Sequence, residues 1–111
     1  TGERPADKRV ERMRQHLIAH FEETIRLDTL AALAGVSRGY AGKLFHEQIG
    51  MTVQNYANSV RIRKAQALLS ESLDTLEWIA DQCGFDDSFY FSKVFKKHTG
   101  ISPSAYRKQF S

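Results

Sequence analysis

Apolar residues recur at steps of three and four along most of the chain, and the runs are broken at Gly, Ser, Thr, Asp or Pro. From Ala6 to Glu23, Val10, Met13, Leu17, Ile18 and Phe21 keep this spacing while Arg9, Arg12, Arg14 and Glu22 lie on other sides, which predicts an amphipathic helix. Leu27 to Ala34 (LDTLAALA) predicts a short helix ended by Gly35. Ser37 then caps Arg38 to Glu47, and Gly50 closes that helix. Thr52 caps a long helix to about Ser70, with Val53, Tyr56, Ala57, Val60, Ala65, Leu68 and Leu69 apolar along it. Such a helix can join two small cores. Asp74 or Thr75 opens another short helix, in which Leu76, Ile79 and Ala80 are apolar. Ala80 and Gly84 stand four apart, as in the first helix and tight turn of a helix-turn-helix, where Gly accepts a positive φ. Asp86 or Asp87 caps the next helix, whose packing face is Phe91, Val94 and Phe95. Gly100 stops it, and Ser102 with Pro103 starts a last one. No run of alternating β-branched residues argues for strands, so the expected class is all-α.

The pattern repeats. Leu27, Leu30, Ala31 and Gly35 match Leu76, Ile79, Ala80 and Gly84 at an offset of 49, and after one extra residue Lys43, Phe45, Gly50 and Tyr56 match Lys93, Phe95, Gly100 and Tyr106 at 50. Two copies are too few to bury a solenoid core. Two helix-turn-helix heads on one rod explain the register better. The expected organisation is a flexible leader over residues 1–5, a first subdomain over 6–51, a linker helix over 52–70 and a second subdomain over 71–111.

Composition adds little until its distribution is read. The 111 residues are 41% hydrophobic and 26% charged, with a formal charge of +3, which is mild for a nucleic-acid binder. Gln48 to Ser70 carries Arg61, Arg63 and Lys64 without an acid, and Ser88 to Ser111 carries five bases without one, while acids collect from Glu71 to Asp87. Two cationic patches thus flank an acidic seam. One Cys excludes an internal disulfide, and neither a signal-peptide core nor a membrane-length apolar run is present, so the cytoplasm is expected. A chain that starts at Thr1 and is small for such a task is expected to be part of something longer.

At these residues the chain resembles the DNA-binding domain of AraC/XylS family transcription regulators. The resemblance rests on Arg61, Ala65, Leu68 and Leu69 in the linker helix, then Ile79, Ala80, Gly84 and Phe85, then Tyr90, Phe91, Ser92, Phe95, Lys96 and Lys97, and finally Thr99, Gly100, Ser102, Pro103, Ser104, Tyr106 and Arg107. It spans about Val10 to Arg107 and is more specific in the C-terminal half. It implies seven helices in two helix-turn-helix subdomains and two recognition helices in successive major-groove segments of double-stranded DNA. A separate effector-binding or dimerisation domain elsewhere in the full-length chain is also implied.

The candidates for base contact are Arg38, Gly39, Gly42, Lys43 and His46 in the first head and Ser88, Phe89, Tyr90, Ser92 and Lys93 in the second. Lys43 and Lys93 are the foremost, because Lys can bind guanine O6 and N7 in the major groove. The other reading leaves both solvated or on phosphate. Gly39 and Gly42 lack side chains to read bases, which suggests either close backbone approach or simple tolerance at a weakly used head. Phe89, if exposed, can touch a thymine methyl, or it packs on Trp78 or Tyr90. One of Asp86 and Asp87 caps the helix, and one can accept from cytosine N4. Arg61, Lys96, Lys97, Ser102 and Arg107 are the candidates for phosphate, with Arg63, Lys64 and Lys108 beside them. Arg61 has a second reading, an ion pair with an acid such as Asp81.

No catalytic site or cofactor is expected. His16 and His20 have a spacing zinc can use but no third ligand, and Cys83 has no base placed with it. A different class remains: a protein-interaction module in which the acidic seam contacts RNA polymerase or a partner domain.

Overall fold

The computed structural model describes residues 7–110, so the leader expected over residues 1–5 lies outside the described residues. Seven helices follow one another: α1 Lys8–Ala19, α2 Leu27–Ala34, α3 Arg38–Ile49, α4 Val53–Glu71, α5 Leu76–Gln82, α6 Ser88–Thr99 and α7 Pro103–Phe110. No strand occurs among the described residues. Six of the helices start on a side-chain oxygen that accepts from a backbone N–H two or three residues on. Asp7 accepts from Arg9, Ser37 from Tyr40, Thr52 from Asn55, Thr75 from Trp78, Asp87 from Tyr90 and Ser102 from Ala105, all at 2.7–3.3 Å. Asp87, not Asp86, is therefore the cap of α6.

The described chain divides into two compact units. One takes the chain up to His20 together with Ile25–Ala57, and the other takes Phe21–Thr24 together with the chain from Asn58 on. In the first, α1, α2, α3 and the start of α4 close over Met13, Leu17, Leu30, Leu44, Phe45 and Ala57. In the second, the rest of α4 with α5, α6 and α7 closes over Ile62, Leu69, Ile79, Phe91, Val94 and Phe95. Each core holds the same aromatic pair. Tyr56 meets Phe45 edge-on at 5.5 Å, and Tyr106 meets Phe95 edge-on at 5.5 Å.

Helix α1 is shorter than its pattern suggested. It ends at Ala19, although Phe21 continues the apolar register to the expected boundary at Glu23. The reason lies in tertiary structure: the Arg61 guanidinium donates to the carbonyl oxygens of Phe21 at 2.7 Å and of Glu23 at 2.8 Å. Gly84 closes on the same segment. Its φ is +89°, and a Cβ added there would stand 2.8 Å from the Cα and carbonyl oxygen of Glu22. Residues 21–24 are thus held between the start of the second unit's part of α4 and the turn after α5.

Candidate nucleic-acid interface

Each unit presents the second helix of its helix-turn-helix with one face buried and the other in solvent. In α6, Phe91, Val94 and Phe95 are buried, and the stripe on the other side, Phe89, Ser92, Lys93 and Lys96, follows spacings of three and four. In α3, Ala41, Leu44 and Phe45 are buried, and the matching stripe is Gly39, Gly42, Lys43 and His46. Gly42 and Ser92 are half-buried. The other six members of the two stripes are exposed.

At the head of each helix Arg38 is exposed and Ser88 half-buried. Arg38 reaches no stronger partner than Asp28, 3.5 Å away between two exposed side chains, a pair too solvated to hold it. Tyr90 is 46% exposed with its ring 6.0 Å from Phe85. Tyr40, absent from the candidates above, occupies the equivalent place in α3 at 40% exposure, with the Arg9 guanidinium 6.0 Å from its ring centre. The repeat itself carried the signal, since Tyr40 and Tyr90 differ by the same 50 residues as Lys43 and Lys93.

The phosphate candidates separate. Lys96 and Lys97 at the end of α6 are exposed, as are Arg63, Lys64, Lys108 and Ser102, whose hydroxyl caps α7. Arg61 is corrected: it is 6% exposed, and besides its two carbonyl acceptors its guanidinium faces Asn58 Oδ1 at 3.5 Å and the Phe85 ring at 5.8 Å. A cation this deeply buried and turned towards backbone acceptors is not presented to a phosphate in solvent, and its partner is the 21–24 segment rather than Asp81. Burial lowers its pKa from the usual arginine value. Arg107 is less exposed than the lysines. It is half-buried and donates to the carbonyls of Leu69 and Ser72, both at 3.2 Å, so it satisfies the C-terminal end of α4.

The remaining chemistry is quiet. Burial pushes the Cys83 thiol up to about 11, which keeps it protonated and unreactive near neutrality. His16 and His20 stack at 4.6 Å, and no group of three His, Cys, Asp or Glu among the described residues is placed to hold a metal ion. No helix of the described residues is long and apolar enough to cross a membrane.

Two helix-turn-helix units, each showing solvent a helix with a lysine at the same place, define the class: a DNA-binding module of the helix-turn-helix type. A family model described as a helix-turn-helix domain matches residues 30–109. The chain belongs to that family and is an AraC/XylS-type DNA-binding domain. It is similar to the transcriptional activator RhaR of Pectobacterium carotovorum, with 52% identity over 66 residues, which is 60% of this chain and 23% of that protein. Its fold is similar to the C-terminal domain of AraT, a response regulator from Geobacillus stearothermophilus, with a TM-score of 0.87 and 30% identity over 96% of this chain and 88% of that one. It is also similar to the DNA-binding domain of the global transcriptional factor AdpA, solved in complex with a target DNA, with a TM-score of 0.82 and 28% identity over 91% of each chain. The chain spans between 23% and 33% of the length of the curated relatives it matches.

Proposed function

We propose that this domain gives a transcription regulator its sequence-specific grip on double-stranded DNA, with α3 and α6 placed in successive major-groove segments. The observation that carries the reading is the paired stripe: Lys43 and Lys93 stand at equivalent exposed positions, each opposite a buried apolar face. Arg38, Gly39, Gly42, Lys43 and His46 then face bases from α3, and Ser88, Phe89, Tyr90, Ser92 and Lys93 from α6. Lys96, Lys97 and the N-terminus of α7 at Ser102 face phosphates. A two-headed monomer on one side of the duplex calls for an asymmetric site, its halves about one helical turn, roughly 34 Å, apart. The domain works within a longer cytoplasmic protein that supplies effector binding or dimerisation.

Contact with RNA polymerase or a partner domain is a separate role, and one observation favours placing it on the acidic seam. Leu73 is 96% exposed there, among exposed Glu71, Asp74 and Glu77.

Selection of bound sites from a random duplex pool, followed by mobility-shift titration at two salt concentrations, tests the DNA reading. Affinity should fall steeply with salt, because phosphate contacts release counterions. Lys43→Ala and Lys93→Ala should each relax preference in a different half of the site. Equal loss at every position would reassign both lysines to phosphate, and no salt-dependent binding at any sequence would leave only the protein-contact role.

A further inference from the structure

The outward stripe of α6 begins with a large apolar side chain that the fold leaves in water. Phe89 is 87% exposed, whereas its neighbours Tyr90 and Phe91 each pack on Phe85, at 6.0 and 5.3 Å between ring centres. Phe89 is the second residue of the helix, and Lys93 and Lys96 follow it at four and seven residues along the same stripe. Those cations draw a polyanion to this face, and the first residues of a recognition helix are the ones that reach base edges. Among the groups a major groove offers, the apolar one is the methyl on C5 of a pyrimidine. At the equivalent place in α3 stands Gly39, which has no side chain to offer such a group.

We infer that Phe89 makes the α6 half of the DNA site methyl-dependent, taking the C5 methyl of thymine or 5-methylcytosine as its ligand. This rests on the reading of α6 as a recognition helix. Lys93 supplies polar readout a turn further on, and Phe89 supplies a contact that answers to a single carbon atom on the base. The α6 half of the operator therefore contains a position where removing that carbon weakens binding while every hydrogen-bonding group stays in place.

The test uses the duplex selected from the random pool, with its α6 half defined as the half where Lys93→Ala relaxes preference. Each thymine of that half is replaced in turn by deoxyuracil, which removes the methyl alone, and binding is followed by fluorescence anisotropy at fixed salt. At one position affinity should fall about four-fold, the equivalent of ~0.8 kcal/mol for one methyl-sized group. Phe89→Ala should bind the thymine and deoxyuracil duplexes alike. At the same position a 5-methylcytosine pair should bind more tightly than a cytosine pair with the parent protein and equally with Phe89→Ala. A deoxyuracil effect that survives in Phe89→Ala, or none at any position of that half, overturns the inference while DNA recognition by α6 stands. If no duplex is retained even at low salt, the recognition reading fails and the inference with it.

Discussion

The helices α3 and α6 bury the same three positions, all apolar, and differ in chemical character on their outward faces. Inward, Ala41, Leu44 and Phe45 correspond to Phe91, Val94 and Phe95, and each set is held under a tyrosine set edge-on at the same separation. Outward, Gly39, Gly42, Lys43 and His46 correspond to Phe89, Ser92, Lys93 and Lys96, and the lysine alone is shared. Close packing keeps the inward positions apolar, with Ala41 and Phe91 filling two cores of different shape, whereas the solvent face is free of that constraint. The units also differ in their turns. Gly35 has open space around its Cα, while Gly84 lies against the backbone of Glu22. At this turn the second head is the more closely packed, and along the outward stripe the first is the more bare.

The largest expected difference between the units is at those glycines. Both have positive φ, so Gly35→Ala should cost about 1–2 kcal/mol from backbone strain. Gly84→Ala should cost about 1–3 kcal/mol more, since its methyl meets backbone that cannot swing aside. Urea midpoints measure the gap, and equal losses would break the asymmetry. Arg61→Met should follow, losing about 2–4 kcal/mol because the Phe21 and Glu23 carbonyls lose their donor. It should leave the salt slope of DNA binding unchanged in whatever folded fraction remains, whereas Lys96→Ala should reduce the slope by about one with stability intact.

Gly39→Ala with Gly42→Ala works in the opposite direction. Nothing lies within 4 Å of either added methyl, so the pair should stabilise α3 by roughly 1 kcal/mol per site. If this helix approaches the groove by its backbone, the same pair should weaken DNA binding; unchanged site preference and affinity would show that the glycines are merely tolerated. Smaller still, Ser37→Ala and Asp87→Ala should each cost ~1 kcal/mol as lost caps, and thermal melts would rank them.

The smallest effect is on pH. Hydrogen bonds from Arg14 and Gln15 lower the Glu11 carboxyl from 4.5 to about 2. A lowered carboxylate pKa stabilises the fold above pH 4.5, and that contribution is lost as pH falls towards 2. In Glu11→Gln the acid limb of the stability curve should be slightly shallower between those values, and the difference should shrink with added salt.

The sequence made the helices legible because their caps are local: Ser37, Thr52, Thr75 and Ser102 act within three residues of themselves. It made the two stripes legible through the repeat, which also pointed to Tyr40. What it hid depends on partners far along the chain. The end of α1 has no Gly or Pro to mark it, because carbonyl capture by Arg61 directs the chain after His20. Ile62 is buried yet lies between Arg61 and Arg63 with Lys64 beyond, so its apolar signal is masked by charge. Arg61 looked like a phosphate ligand because the backbone carbonyls it serves have no signature in a sequence.

The four residues from Phe21 to Thr24 make the second unit discontinuous in the gene. A recombination event or protease cut that kept everything from Asn58 on would deliver a head with Arg61 stripped of its two carbonyl acceptors and Gly84 without the Glu22 backbone beside it. Moving this head into another protein therefore requires the stretch that precedes α2 to travel with it.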